Sequence, residues 1–421
     1  MCDVLCNMHK LIEKNSGFGY NRLMKKEKIV RKRHIFWFVI LKALSLLFLR
    51  ITKGYKRINK FDNRKQNVIV LSNHQTDIDC IYISLHFRRT LHFLMTDSVT
   101  SNVTIYKLLD HIFAPITKKK GTNDSTAVRK MIQIAKEGGS IAIFPEGNRT
   151  YAEFQYPVNE SISKLVKILK LPLVLFNMHG GFGVSPRFKN KDRRGKIYGE
   201  IKKIIYPDEY KTMSDEELQK LIIDNLKVYD SESNEPYKSN RRAEYLEKML
   251  FVCPKCNHSN TLYSKEKNII CKNCGLEVEY TENLHLKSLD PEFKYTILND
   301  WYQMQKKWVK EKEIVPGETI FKDDCVRLFT SNSNEKRKLL SKGNIALTDK
   351  ELIFDNISFK IKDIEISSVI SGLNFYFSLV DGSTYLVKGK KRFNPLKYVL
   401  MFNKLDTEMK IKKKDEYFTL D

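Results

Sequence analysis

Four absences narrow the field before any motif is read. The first is a disulfide framework: of eight cysteines in 421 residues, Cys2, Cys6, Cys80 and Cys325 are scattered without framework spacing, and the other four form two Cys-x-x-Cys pairs. That pattern argues against a disulfide-stapled secreted domain and suits a reducing compartment. The second is an uninterrupted apolar run of the roughly 20 residues a spanning helix needs. The strongest run near the start, residues 35–49, is interrupted by Lys42 and reads as a poor transmembrane segment. It is also a poor secretory signal, because 34 residues precede it and no small-x-small cleavage site follows, so export is not expected. The third is a Gly-x-Ser-x-Gly nucleophile elbow, whose absence argues against an elbow-type serine hydrolase. The fourth is acidic balance: 50 Asp and Glu stand against 74 Lys and Arg, a net charge of +24. The partner is therefore expected to be polyanionic, whether phosphate-rich lipid, nucleic acid or acidic protein.

What is present is enough chain, 42% hydrophobic, for more than one domain, with no internal repeat. Positive charge is densest around the apolar run: Lys25, Lys26, Lys28, Arg31, Lys32 and Arg33 precede it, Arg50, Lys53, Lys56 and Arg57 follow it, and Phe36, Trp37 and Phe38 stand at its entry. An apolar helix with an aromatic edge and basic flanks fits an interfacial, monotopic anchor on anionic lipid; a true span and a buried core helix are the alternatives. From Asn67 short apolar runs alternate with helical stretches, the signature of α/β layering. Val68-Ile69-Val70-Leu71, Ile141-Ala142-Ile143-Phe144 and Leu171-Pro172-Leu173-Val174-Leu175-Phe176 are expected strands, and Asp124 is expected to cap a helix that ends at Gly138-Gly139. The expected divisions are 1–60, basic and apolar membrane-associating helices; 61–230, the α/β domain; 231–250, linker and helix; 251–280, a metal-binding unit; 281–316, a helical connector; and 317–421, a β-rich unit. In the last, Asp381-Gly382 between two apolar runs predicts a hairpin, and Asn394-Pro395 opens a closing helix through Leu405.

Two strand ends carry chemistry. Ser72-Asn73-His74 follows the first strand, and Asp79 lies five residues after His74. Histidine can take a hydroxyl proton near neutral pH, and a carboxylate behind it can fix the imidazole tautomer and stabilise the imidazolium. In an unbroken helix the two would stand about 140° apart, so their contact needs a strand-to-helix turn. Asp77 competes for the role and could equally cap the next helix; a core histidine is the plain alternative. Phe144-Pro145-Glu146-Gly147-Asn148-Arg149-Thr150 closes the second strand. There Arg149 can grip a phosphate with a planar fork, Gly147 allows close backbone approach, and Glu146 can orient Arg149 or a hydroxyl. A Pro-Gly turn with an exposed ion pair is the alternative.

Together these blocks resemble the PlsC-type 1-acyl-glycerol-3-phosphate acyltransferase (lysophospholipid acyltransferase) family, whose hallmarks are NHxxxxD and FPEGTR. The resemblance covers about residues 60–210. It implies a cytoplasmic-face enzyme, peripheral or monotopic on the cell membrane. The enzyme would move a fatty acyl group from an acyl-CoA or acyl-carrier-protein thioester to lysophosphatidate or a related lysophospholipid, with no covalent acyl-enzyme. His74 then matches the base and Asp79 its partner, while Asn73, Glu146, Gly147, Arg149 and Thr150 match the acceptor-binding positions. Asn148 stands where Thr is usual and Thr150 where Ser is common. The family's intermediate motif offers an Arg, whereas this chain has Pro115-Ile116-Thr117-Lys118-Lys119-Lys120-Gly121. Lys118, with Lys119 as alternative, takes that place, as a point charge rather than a fork. The fourth family element looks like Leu171-Pro172-Leu173-Val174, with His179-Gly180-Gly181 beside it expected as a solvent-facing turn.

Cys253-Pro254-Lys255-Cys256 and Cys271-Lys272-Asn273-Cys274-Gly275 resemble a zinc ribbon: Cys253, Cys256, Cys271 and Cys274 would complete a closed tetrahedral shell for structural zinc, with His258 at the surface. The β-rich end resembles the PH/GRAM-like fold, with Gly343-Asn344-Ile345-Ala346-Leu347-Thr348 and Leu352-Ile353-Phe354 as early strands. The rival reading is a non-enzymatic basic adaptor binding membrane or nucleic acid through charge; a second is a hydrolase using the same His and Asp. No aromatic-basic nucleic-acid motif appears, and no specific nucleic acid is expected.

Overall fold

The computed structural model describes residues 28–96, 103–118, 125–331, 337–370 and 373–418. They form two compact units, the first comprising Met1–Arg149, Gln155–His179 and Ile197–Val228, the second Thr150–Phe154, Gly180–Lys196 and Tyr229–Asp421.

In chain order the first unit holds α1 (Lys32–Lys53), β1 (Lys56–Arg57), β2 (Ile69–Ser72), α2 (Asp79–Ser84), β3 (Leu91–Thr96), α3 (Val103–Phe113), β4 (Ile116–Lys118), α4 (Ser125–Lys136), β5 (Ser140–Ile143), α5 (Ser161–Leu169), β6 (Leu173–His179), β7 (Tyr198–Ile205) and α6 (Asp215–Leu226). The seven strands make one sheet in the order β1-β7-β6-β2-β5-β3-β4. β6, β2, β5, β3 and β4 run parallel, and β7 returns antiparallel to β6. Central strands covered on both faces are mostly apolar, which is why β2 and β5, apart from Ser72 and Ser140 at their ends, read as apolar runs and are wholly buried. Ile69, Leu71, Ile141, Ile143, Leu173 and Leu175 pack there against Ala127, Met131 and Ile134 of α4 and Leu165 and Val166 of α5. The parallel register brings the carboxyl ends of β2, β5, β3 and β4 to one edge of the sheet, the place where open α/β sheets bind ligands. Asp124, the expected cap of α4, lies outside the described residues, as do Lys25, Lys26 and Lys119; the chain turns after α4 at Gly138, φ +80°.

The helix of the apolar segment spans 22 residues, longer than the apolar run because it takes in basic residues beyond both ends, and by length and composition it is long and apolar enough to cross a membrane. Gly54 ends it in the left-handed conformation. His34, Phe38 and Leu49 face inward, while Phe36, Val39, Leu44, Leu47, Phe48 and Ile51 are exposed. Lys42, which breaks the apolar run in sequence, donates to the Phe87 carbonyl. β1, which follows the helix, joins the same sheet through β7.

The second unit contains a four-stranded antiparallel sheet of β8 (Leu262–Lys265), β9 (Asn268–Cys271), β10 (Glu277–Tyr280) and β11 (Leu286–Lys287), followed by α7 (Leu298–Glu311). A seven-stranded antiparallel sheet follows, of β12 (Phe321–Thr330), β13 (Leu339–Leu347), β14 (Glu351–Phe354), β15 (Ile357–Lys360), β16 (Ile364–Ile370), β17 (Asn374–Leu379) and β18 (Thr384–Lys388), in the order β15-β14-β13-β12-β18-β17-β16. α8 (Leu396–Phe418) closes the chain, running well past Leu405. The β17–β18 hairpin turns at Asp381-Gly382, where Gly382 adopts φ +87°. The chain passes into the second unit between Val228 and Tyr229, after two earlier excursions into it. Asp230 accepts from the amides of Gly180 (2.7 Å) and Gly183 (3.0 Å), and the Ser231 amide donates to Glu153 (2.5 Å), so two earlier loops belong to the second unit. Within residues 231–240 Ser231 and Tyr237 are buried and the rest are exposed or half-buried, whereas Ala243, Leu246, Met249 and Leu250 beyond them are buried.

Candidate active site and candidate metal centre

The loop between β2 and α2 is built around one carboxylate. Asp79, the first residue of α2, is fully buried, and its Oδ2 accepts from His74 Nδ1 (2.8 Å), Gln75 N (2.6 Å) and Thr76 N (2.9 Å) while Oδ1 accepts from Thr76 Oγ1 (2.5 Å). Residues 73–78 are not helical; the chain doubles back to wrap the carboxylate, which closes the five-residue spacing that a helix would have opened. A carboxylate is an acceptor only, so His74 presents its proton on Nδ1 and its lone pair on Nε2. The ring stacks on Phe144 at 4.0 Å and 15°, and its side chain keeps 23% exposure, enough for Nε2 to meet a substrate.

Phe144 opens the loop after β5. Gly147 donates to the Phe144 carbonyl (3.0 Å) and has φ +67°, a turn that an L side chain would strain. The buried Glu146 carboxyl accepts from Tyr156 N (3.1 Å) and from the His74 backbone amide. Burial pushes its pKa up to about 8 despite those hydrogen bonds, with the nearby Asp79 charge adding to the rise. Arg149 is buried and reaches back to the first loop: Nε donates to the Gln75 carbonyl (2.5 Å) and Nη1 pairs with the exposed Asp77 (2.8 Å). Asp77 thus partners Arg149 rather than His74.

Several expected site residues sit differently. Both functions of the Asn73 amide are engaged by Met178, donating to its carbonyl (2.9 Å) and accepting from its amide (2.8 Å). Asn73 thereby fastens the end of β2 to β6. The Thr150 hydroxyl donates to the Phe154 carbonyl (3.0 Å). Lys118 ends the edge strand β4, on the same sheet edge but two strands from β5, about 10 Å at ordinary strand spacing. His179-Gly180-Gly181 is not a solvent turn: His179 stacks on Tyr198 (4.5 Å, 7°) and lies 3.2 Å from Glu200, and both glycines are buried. The Asp77–Arg149 pair and the Gln75 carbonyl had no sequence signal, since these contacts join loops of different strands, and the Tyr156 amide had none because it meets Glu146 from ten residues along the same loop.

In the second unit the sulfurs of Cys253, Cys256, Cys271 and Cys274 all lie within 4.8 Å of one another. The Cys253–Cys274 separation is 3.6 Å and the Cys256–Cys271 separation 3.7 Å; a tetrahedron with metal–sulfur bonds of about 2.3 Å has edges of about 3.8 Å. Each Cys-x-x-Cys ends in a left-handed residue, Asn257 (φ +58°) and Gly275 (φ +75°), whose amide donates back to Cys253 or Cys271 at 3.0 Å. The donor set fits zinc, and four cysteines leave no position for substrate. His258 is exposed and its Nδ1 bonds the Cys256 carbonyl (2.9 Å).

No curated protein matches the chain. Among solved structures it is similar to the crystal structure of the 1-acyl-sn-glycerophosphate (LPA) acyltransferase PlsC from Thermotoga maritima, at 20% identity and a TM-score of 0.39, covering 49% of this chain and 81% of that one. Residues 52–177, which include both loops and the strands that carry them, match the family model described as Acyltransferase, and the chain therefore carries an acyltransferase domain.

Proposed function

We propose that this domain transfers a fatty acyl group from an acyl-CoA or acyl-carrier-protein thioester to the free hydroxyl of lysophosphatidate or a related lysophospholipid, with His74 as general base. The observation that carries the reading is the 2.8 Å His74–Asp79 contact beside a loop that Arg149 grips from the next strand. His74 Nε2 takes the hydroxyl proton as the oxygen attacks the thioester carbonyl; the C–O bond forms, the C–S bond breaks, and the proton passes to the leaving thiolate. Asp79 holds the imidazole and offsets the positive charge it gains. The acceptor phosphate replaces the exposed Asp77 on Arg149, and Glu146, neutral below about pH 8, offers a hydrogen-bond donor beside the reacting groups. Lys118 supplies a more distant charge at the same edge.

α1 supports a membrane-surface location: its apolar residues face outward along one helix, with Lys32, Arg33, Arg50 and Lys53 at the ends to meet anionic headgroups. We read the anchor as monotopic, on the cytoplasmic face. Structural zinc in the four-cysteine cluster holds the ribbon, and the seven-strand order with a closing helix supports a PH-like reading of the C-terminal sheet. Purified protein is given a labelled acyl thioester with and without lysophosphatidate. Acceptor-dependent ester, lost by more than about a thousandfold in His74→Ala with vesicle binding kept, is the expected result. Acceptor-independent free acid would identify a hydrolase, and no product in either form an adaptor.

A further inference from the structure

The second unit gathers cations around two tyrosine rings. Lys248 Nζ lies 4.8 Å, Lys391 Nζ 5.3 Å and the Arg392 guanidinium 5.2 Å from the centre of the Tyr245 ring. Arg392 also covers Tyr263 at 4.1 Å, and Lys272 covers it at 4.8 Å. An aromatic face attracts one cation; three on one ring repel each other. Glu247 is the carboxylate paired with Arg392, and it also accepts from Ser264 Oγ. Neither Lys248 nor Lys391 has a carboxylate within ion-pairing distance among the described residues.

The arrangement is held, not incidental. Tyr245 is buried with φ +70°, a conformation costly for a bulky side chain, and its amide donates to Ser264 Oγ (2.7 Å). The loop bearing Lys391 and Arg392 begins at Gly389, where a Cβ would come within 2.2 Å of Phe393, so only glycine lets the loop fold that tightly. Asn394 donates to the Glu247 carbonyl (2.8 Å) and Arg392 to the Ser264 carbonyl (3.1 Å), tying this loop to the turn that carries Tyr245 and Lys248. Two ammonium groups thus stand within 5.3 Å of one ring centre on a preorganised backbone frame, one on a half-buried side chain and one on an exposed side chain. Burial and the two neighbouring cations depress the Lys248 pKa even against the pull of Glu247, as expected where a counter-anion is missing.

We propose that Lys248 and Lys391, on the frame set by Tyr245 and Arg392, form a binding site for a phosphate monoester dianion. The group comes either from a phosphorylated lipid headgroup or from a soluble phosphate. The site is remote in sequence from His74, and its occupancy does not depend on acyl transfer.

The test uses the zinc-loaded full chain, the Lys248→Gln/Lys391→Gln double variant, and a charge-matched control, Lys350→Gln/Lys362→Gln, at exposed positions elsewhere. Arg392 is left intact because it braces Glu247. Inorganic phosphate is titrated at constant ionic strength by phosphorus NMR line broadening. In a second arm, binding is measured to phosphatidylcholine vesicles with and without phosphatidate, so that anchoring by α1 is common to every sample. A loss of at least tenfold in the site variant, with the control within twofold of the parent, is expected in one arm or both. Loss in the phosphate arm identifies a soluble ligand as sufficient; loss confined to phosphatidate vesicles identifies the lipid headgroup. Retention within twofold in both arms, or equal losses in site variant and control, overturns the proposal.

Discussion

Replacing Glu146 by glutamine isolates one electrostatic quantity. The carboxyl is buried, receives only two backbone amides, and titrates at about 8 instead of 4.5. Between those values the unfolded chain has lost the proton and the folded chain keeps it, so stability falls as pH rises, by about 1.4 kcal/mol per pH unit. The contribution is fully present below about pH 4.5 and lost by about pH 8, roughly 5 kcal/mol in all, after which the slope vanishes because both states are ionised. Glutamine keeps the shape of the protonated acid and cannot ionise. The stability of Glu146→Gln relative to the parent should therefore climb steadily between pH 5 and 8 and level off above. Titrating groups that do not interact with Glu146 cancel in that difference. Urea unfolding at several pH values, scored by pulsed hydrogen exchange in peptides from β2 and β5, reads only the unit that carries the residue. A difference that stays flat from pH 5 to 8 would refute the reasoning and mean that Glu146 is ionised in the fold.

Asp79→Asn should lower turnover by about three to four orders of magnitude, since an amide no longer enforces the Nδ1–H tautomer. It should also loosen the loop by about 2–4 kcal/mol, because four hydrogen bonds lose a charged acceptor; melting curves and steady-state kinetics on one preparation separate the effects, and near-normal turnover sinks Asp79 as the orienting group. One equivalent of zinc should accompany protein purified without chelator, and stripping it should unfold β8 to β11, because structural zinc contributes on the order of 10 kcal/mol. Unchanged proteolysis of residues 251–280 after metal removal to below half an equivalent would contradict a structural site.

Local sequence was enough to locate β2, β5 and β6, because strands buried on both faces are built mostly of consecutive apolar residues and such runs stand out. It also located the Asp381-Gly382 hairpin and the four cysteines, since a tight turn and a metal shell each demand particular residues at short spacing. What lay beyond it was every relation between distant segments. The contact of His74 with Asp79 depends on six non-helical residues wrapping a carboxylate, and the roles of Asn73, Asp77 and Arg149 depend on which strands the sheet makes neighbours. The same holds for Glu153 and Gly180, which left the α/β unit because Asp230 and Ser231, far along the chain, satisfy their polar groups. Short-range sequence encodes the conformations and chemistry of single segments. Pairing across fifty or a hundred residues is decided by how all the segments bury surface at once, and that is settled only in the folded chain.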